Sequence, residues 1–155
     1  GSFNNTVKNF PLAKAAISHL NSYISLTSPI GIVELNGYSP EEVGLLLNAC
    51  DITLLTSYSE GSPNFIKEAM ACNRPIVSTE VGDVKELMEG IPGCFIAKNN
   101  PENIADKIRQ ALENSHSIGA RQRIIDRGLE INETARKIVA VYEQVLHKKS
   151  KTTKH

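Results

Sequence analysis

Short apolar runs and helical patterns alternate between residues 48 and 97, and this alternation constrains the fold more than any other feature. Ile52–Leu55, Ile76–Ser78 and Cys94–Ala97 have the length and apolar character of strands buried in a sheet. The segments between them carry glycine turns, proline and helical spacing of apolar residues. Strands that alternate with single helices form a parallel sheet with right-handed crossovers and helices on both faces.

The flanking segments extend this pattern. Asn9 and Pro11 predict the start of a helix, and the β-branched run Ile30–Leu35 predicts a further strand. Residues 2–4 are compatible with the end of a fifth strand, and only helical patterns follow residue 97. We therefore predict an α/β fold: a three-layer Rossmann-like domain with a small parallel sheet, helices on both faces and extra C-terminal helices. Its expected bounds are residues 1–147, followed by a basic, flexible tail over 148–155.

Composition narrows the class of protein. The 155-residue chain is 41% hydrophobic and 22% charged, as in soluble globular domains, and its 17 basic and 17 acidic residues balance. That balance gives no argument for nucleic acid as a partner, and no apolar run is long enough to span a bilayer. The opening residues do not resemble a signal peptide. The three cysteines are best interpreted as reduced thiols, and together with the opening residues they favour a cytoplasmic protein. The spacing of the cysteines and histidines predicts no metal site.

The turn after the first central strand, residues 56–64, holds the most crowded set of polar groups in the chain. In open parallel sheets, ligands bind beyond the carboxyl ends of the strands. Gly61 permits close backbone approach, and the helix predicted to start at Ser62-Pro63 offers unpaired N–H groups to an anion. Glu60 precedes that helix and Glu68 lies inside it, so two carboxylates could accept hydroxyl hydrogen bonds on either side of a phosphate.

A simpler interpretation stands beside this one. Two glutamates eight positions apart occur by chance, and they are compatible with an exposed helix face that binds nothing. Ser62 and Pro63 could only cap the helix, and Lys8 could be an ordinary surface charge. Gly82 could do no more than shape its turn.

The string EGSPNFIKEAMACNRPIVSTEVGDVKE, residues 60–86, resembles the signature of family-4 retaining glycosyltransferases, a two-lobed class with the GT-B fold. The preceding LNACDITLLTS is similar to that family's approach to the motif, and the resemblance is specific over residues 36–97. It implies the C-terminal donor-binding lobe of such an enzyme. It also implies two catalytic residues, Glu60, which contacts the donor sugar, and Lys8, which holds the diphosphate.

Further donor-binding roles follow from the same resemblance. Glu68 would bind the ribose hydroxyls, and the turn with its helix start would face the sugar and phosphates, through Gly61, Ser62, Pro63, Asn64 and Phe65. Gly82 would border the phosphates. The resemblance implies no cofactor and no required metal, the substrate being a UDP-, GDP- or ADP-sugar.

Two departures from the family pattern concern the nucleotide half of the pocket. The arginine that commonly precedes the family's lysine is missing, and Asn5, or Asn4, is the candidate to replace it. The region between Lys8 and Gly37 is also about one βα unit shorter than usual. The turn with Gly37 and Tyr38 is then the candidate wall for the nucleobase.

We therefore expect the donor-binding domain of a hexosyltransferase that acts on a glycan or lipid-linked acceptor, for example in polysaccharide biosynthesis. The expected partners are the nucleotide-sugar donor and a missing N-terminal acceptor-binding lobe, so that the isolated chain has little or no activity. The basic tail leaves open a peripheral contact with the inner face of the membrane. Two alternatives stay open: a non-catalytic nucleotide- or sugar-binding module that acts with a partner, and half of a GT-B-like sugar-nucleotide epimerase.

Overall fold

The computed structural model describes residues 4–24, 29–114 and 119–152, with side chains as far as residue 147. The described contacts group into two units, residues 1–121 and 122–155. The predicted single lobe over residues 1–147 stays a prediction.

Over the residues that the structure describes, the first unit is built on a parallel sheet of three strands in the order β1-β2-β3. The strands are β1 (Thr53–Leu55), β2 (Ile76–Thr79) and β3 (Cys94–Ala97). Thr53 pairs with Ile76, and Ile76 in turn pairs with Cys94. The α/β fold class and the three central strands are thus confirmed.

Helices surround this sheet. They are α1 (Phe10–Tyr23), α2 (Pro40–Ala49), α3 (Asn64–Ala71), α4 (Val84–Met88) and α5 (Pro101–Glu113). Helices α1 and α5 pack on each other, and their buried side chains meet Val77 and Ala97 in one core. Val77 faces these helices, so Ile76 and Ser78 point to the opposite face of the sheet. Right-handed crossovers put α3 and α4 on that opposite face, which gives three layers.

The predicted strand Ile30–Leu35 is wrong. Residues 29–36 form no strand, and Val33 is 64% exposed. A β-branched run becomes a strand only where it pairs with a sheet and packs against it, and within the described residues the ladder of the sheet ends at β1 and β3. The expected strand end at residues 2–4 falls mainly on residues 1–3, which lie outside the described residues.

The starts of α2 and α1 follow their local sequence signals to different degrees. Ser39 caps α2 with a complete capping box: its hydroxyl accepts from the Glu42 N–H, and the Glu42 carboxylate accepts from the Ser39 N–H. Asn9 precedes α1 as predicted, but its side chain makes no cap hydrogen bond, and Pro11 is the second helical residue rather than the first.

Helix α6 (Ala120–Asp126) crosses the boundary between the two units, and α7 (Ile131–Thr152) belongs to the second. The apolar residues that repeat along α7 are exposed; Ile138 and Tyr142, for example, are 51% and 66% exposed. Helix α7 continues into the segment 148–155 as far as Thr152, and the last three residues lie outside the described part of the chain.

Candidate functional site

A cleft of about 370 Å³ lies where the three strands end. Each strand contributes the residues at or just after its carboxyl end, which is the edge where parallel sheets bind ligands. The lining residues are Ser57, Tyr58, Thr79, Glu80, Val81, Ile96, Ala97, Lys98 and Asn99.

The turn between β1 and α3 brings Glu60 beside this cleft. Ser57 lines the cleft, and its hydroxyl donates a 2.7 Å hydrogen bond to Glu60 Oε1. Helix α3 begins at Asn64 with Pro63 at the N-cap position, and Pro63 forms no side-chain cap. The expectation that Ser62 caps this helix is wrong, because the Ser62 hydroxyl donates instead to Asp83 Oδ2.

Lys8 and Glu60 form an ion pair. Lys8 Nζ lies 2.5 Å from Glu60 Oε1, although the two residues are 52 positions apart in the chain. The Glu60 side chain is 16% exposed and that of Lys8 33%. The two residues predicted to be catalytic therefore lie together, at the carboxyl edge of the sheet.

Local structure before α1 positions Lys8. Residues Thr6–Lys8 form a single 3-10 turn, whose start is capped by the Asn5 side chain accepting from the Val7 N–H at 3.0 Å. The Tyr58 N–H donates to the Val7 carbonyl at 2.9 Å, and the Thr56 hydroxyl donates to the Lys8 carbonyl at 3.0 Å. The segment that carries Lys8 is thus fastened to the turn that carries Glu60.

The charge state of Glu60 follows from these contacts. Burial by itself raises the pKa of the Glu60 carboxyl, but the hydrogen bonds from Lys8 and Ser57 and the charge of Lys8 outweigh it. The net result is a pKa below the ordinary value of 4.5. Glu60 is therefore an ionised hydrogen-bond acceptor at neutral pH.

Backbone N–H donors follow Glu60. Within the described residues, the N–H groups of Gly61, Ser62, Asn64 and Phe65 make no hydrogen bond. Free N–H groups at the start of a helix, together with the helix dipole, favour an anion. An anionic ligand could therefore be held between these groups and Lys8.

The turn after β2 packs against the turn that carries Glu60. Gly82 has φ +51°, and a Cβ at this position would lie 1.9 Å from the Gly61 carbonyl oxygen. The Asp83 N–H donates to the same oxygen at 3.2 Å. Gly82 is therefore required for the close contact between the two turns, and it lies beside the predicted donor-binding turn.

Three other predicted site residues lie on α3 and in the turn before α2, and, like Lys8 and Glu60, they are not among the residues that line the cleft. Glu68 is exposed on α3, and Tyr38, 45% exposed, follows Gly37 in the turn before α2. Asn5 is close to Lys8 in the chain, but its side-chain oxygen is used as a cap.

Sequence reasoning missed the third wall of the cleft, formed by Lys98 and Asn99 after β3. Thr79 was missed as well; it is buried, and its hydroxyl donates to the Ser57 carbonyl at 2.7 Å. The signal that could have found them is position, because all three lie at the carboxyl ends of predicted strands.

The described residues also bear on metal binding and on membrane crossing. Among the described residues, no group of three or more His, Cys, Asp or Glu side chains is placed to hold a metal ion. Over the same ranges, every helix is too short or too polar to cross a bilayer.

Comparison with known proteins identifies the family. Residues 14–114 match the family described as "Glycosyl transferases group 1", which is more than half of the chain. The chain belongs to this family. The matched region contains the whole sheet, the Glu60 turn and the Gly82 turn.

Named relatives within the curated proteins are glycosyltransferases. The chain is 34% identical over 84 residues to an uncharacterized glycosyltransferase of Methanocaldococcus jannaschii, covering 53% of this chain and 24% of the relative. It is 29% identical over 136 residues to the N,N'-diacetylbacillosaminyl-diphospho-undecaprenol alpha-1,3-N-acetylgalactosaminyltransferase of Campylobacter jejuni, covering 85% and 34%. A putative colanic acid biosynthesis glycosyltransferase of Salmonella typhimurium is 31% identical over 93 residues, covering 55% and 23%. The chain thus spans between 23% and 34% of the length of these relatives.

Proposed function

We propose that this group 1 glycosyltransferase chain is the C-terminal, nucleotide-sugar-binding lobe of a retaining enzyme. The Lys8–Glu60 pair beside free N–H donors is the observation that carries the proposal. A nucleotide-sugar presents a diphosphate between two polyhydroxylated rings. A cation, a helix start and an ionised carboxylate at one sheet edge match those groups.

In this proposal, Glu60 accepts hydrogen bonds from hydroxyls of the donor sugar. Lys8 leaves Glu60 and contacts the diphosphate. Lys8 and the N–H groups of Gly61 to Phe65 together offset the negative charge of the diphosphate. These groups stabilise the diphosphate as the bond between its oxygen and the anomeric carbon breaks. The acceptor oxygen forms its new bond to the anomeric carbon on the same face of the sugar, and the acceptor's hydroxyl proton passes to the departing diphosphate oxygen. No metal takes part in this account.

Glu68 is proposed to bind the ribose hydroxyls. Its exposure on α3 leaves the carboxylate accessible to a ligand that extends beyond the helix start. The turn with Gly37 and Tyr38 is proposed as the wall for the nucleobase, and Asn5 as a residue near the phosphates.

The acceptor is proposed to be bound by an N-terminal lobe, in line with the small share of its relatives' length that this chain spans. The name of the Campylobacter jejuni relative specifies a diphospho-undecaprenol-linked acceptor, and that of the Salmonella typhimurium relative specifies colanic acid biosynthesis. These names support a glycan or lipid-linked acceptor and a role in polysaccharide biosynthesis. A cytoplasmic location and a peripheral membrane contact are further parts of the proposal.

Isothermal titration calorimetry of the chain with UDP-glucose, GDP-mannose and ADP-glucose tests the proposal. One of the three should bind, and Glu68→Ala should weaken its binding about tenfold, the effect of losing a hydrogen bond to a charged group. Glu143→Ala, which removes an exposed glutamate on α7, is the matched control and should leave the affinity unchanged. If a folded chain binds none of these ligands or their nucleoside diphosphates, the proposal is wrong.

A further inference from the structure

The turn that carries Glu60 is fastened to the turn after β2 at three points. Gly82 packs against the Gly61 carbonyl so closely that no side chain fits between them, and the Asp83 N–H donates to that carbonyl. The third point is the hydrogen bond from the Ser62 hydroxyl to Asp83 Oδ2. Two of the three contacts involve Asp83.

The Asp83 carboxylate is not used for the helix that follows it. Asp83 occupies the N-cap position of α4, where aspartate commonly accepts a hydrogen bond from the helix, yet its side chain makes no such bond. Its Oδ2 accepts from Ser62 in the other turn. Within the part of the chain that the structure describes, its buried Oδ1 has no hydrogen-bond partner.

This arrangement is unfavourable for folding alone. A buried carboxylate oxygen without a donor loses its hydration and gains nothing in return. Rotating the carboxylate to cap α4 would satisfy it locally, but the bond to Ser62 would then be lost. Buried polar atoms in folded proteins nearly always have a hydrogen-bond partner, so an exception calls for an explanation, and a functional role of the residue is one.

We propose that Asp83 is a positioning residue that, through Ser62 and the Gly61 carbonyl, holds the Glu60–Ser62 turn in the geometry that recognises the donor sugar. The inference rests on the proposed function and adds two side chains to it. Asp83 acts on a turn that carries both Glu60 and the Gly61 and Ser62 N–H groups. Because the diphosphate keeps Lys8 and the N–H groups of Asn64 and Phe65, loss of Asp83 should weaken binding of the nucleotide-sugar more than that of the nucleoside diphosphate.

The first test needs no ligand. Backbone ¹⁵N order parameters at Gly61 and Ser62 should be near 0.85 in the wild type and fall to about 0.6 in Asp83→Ala and Ser62→Ala. Asp83→Asn should stay close to the wild type, since its side-chain oxygen can still accept from Ser62. Two matched controls, Asp51→Ala and Ser22→Ala, remove exposed groups elsewhere in the same unit. They should leave the order parameters at Gly61 and Ser62 unchanged.

The second test compares UDP, GDP and ADP with UDP-glucose, GDP-mannose and ADP-glucose by calorimetry. For the pair that the wild type binds, Asp83→Ala and Ser62→Ala should weaken the nucleotide-sugar about tenfold and the nucleoside diphosphate by a smaller factor, about threefold. Asp83→Asn should restore most of the lost affinity.

Unchanged order parameters in Asp83→Ala would overturn the inference, and so would an equal loss of affinity for both ligands. A wild-type chain that binds none of the six ligands refutes the proposed function and the sugar-binding part of this inference. The order parameters still decide, independently, whether Asp83 holds the turn.

Discussion

The Lys8–Glu60 ion pair should stabilise the folded chain measurably. We consider the variants Lys8→Met and Glu60→Gln, which keep the approximate shape of each side chain, together with the double variant. Each single change leaves one charged partner behind, so only the four-variant cycle isolates the interaction between the two side chains.

The structure sets the expected size of this interaction. Exposed ion pairs contribute about 0.2–1 kcal/mol, and hydrogen bonds to charged groups contribute about 1.5–3 kcal/mol. Lys8 is 33% exposed and Glu60 16%, and the pair is reinforced by Ser57. A pair of intermediate exposure should therefore show a coupling free energy of about 1–1.5 kcal/mol at neutral pH.

The dependence on pH has a definite sign. The pKa of Glu60 is lower in the folded chain than its ordinary value of 4.5. A depressed carboxyl pKa gives stability that is fully present above the unfolded value. The coupling should therefore be constant between pH 7 and about pH 5.5, and it should be lost as the pH falls through the folded value.

Urea unfolding, followed by circular dichroism at pH 7, 5.5 and 3, measures the coupling. The matched control is the pair Lys85–Glu80, which has a 3.0 Å contact but side chains 66% and 59% exposed. The same cycle there should give no more than about 0.5 kcal/mol. A Lys8–Glu60 coupling no larger than that of the control, or one that persists unchanged at pH 3, would refute the reasoning.

Three further predictions concern single residues. Gly82→Ala should lower the free energy of unfolding by at least about 2 kcal/mol, because Gly82 has a positive φ and a Cβ there would clash with the Gly61 carbonyl. Gly61→Ala, which has open space for a Cβ, should change the free energy of unfolding by less than about 0.5 kcal/mol. Equal effects of the two substitutions in urea titrations would contradict this. Ser39→Ala should destabilise by about 1 kcal/mol through loss of the α2 cap, and Ser39→Asp should retain most of the stability, as thermal unfolding would show. Burial raises the pKa of the Cys94 thiol to about 12, so Cys94 should react with Ellman's reagent at pH 8.5 more slowly than Cys72. If the slowest reaction phase disappears in Cys72→Ser but not in Cys94→Ser, the assignment of that phase to Cys94 is wrong.

Much of the sheet could be predicted from the sequence because its signals are local and agree with one another. Ile76–Thr79 is a short, fully buried strand preceded by proline, and Cys94–Ala97 is a short, partly buried strand preceded by glycine. The helix between Val84 and Met88 buries the residues expected from its spacing. The strand predicted at Ile30–Leu35 failed: residues 29–36 form no strand, although their local signal favours one. Pairing is a tertiary property that a β-branched run does not contain.

The site shows the same division. The position of Glu60 after β1 and before a helix start was readable, since the carboxyl end of a parallel strand is a general location for ligands. The contact between Lys8 and Glu60 depends on hydrogen bonds that join the Thr6–Lys8 turn to residues some fifty positions further along the chain. At the level of the sequence, only the family resemblance linked the two residues. Ser62 was misread as a helix cap because its actual partner, Asp83, lies 21 positions further along the chain.

An amide chemical-shift titration with UDP-glucose, GDP-mannose or ADP-glucose tests directly whether a nucleotide-sugar binds at the Glu60 turn. The largest shifts should fall on the N–H groups of Gly61, Ser62, Asn64 and Phe65, which are free of hydrogen bonds within the described residues. Shifts concentrated on α7, or no shifts at saturating concentrations of all three ligands, would contradict binding at this turn.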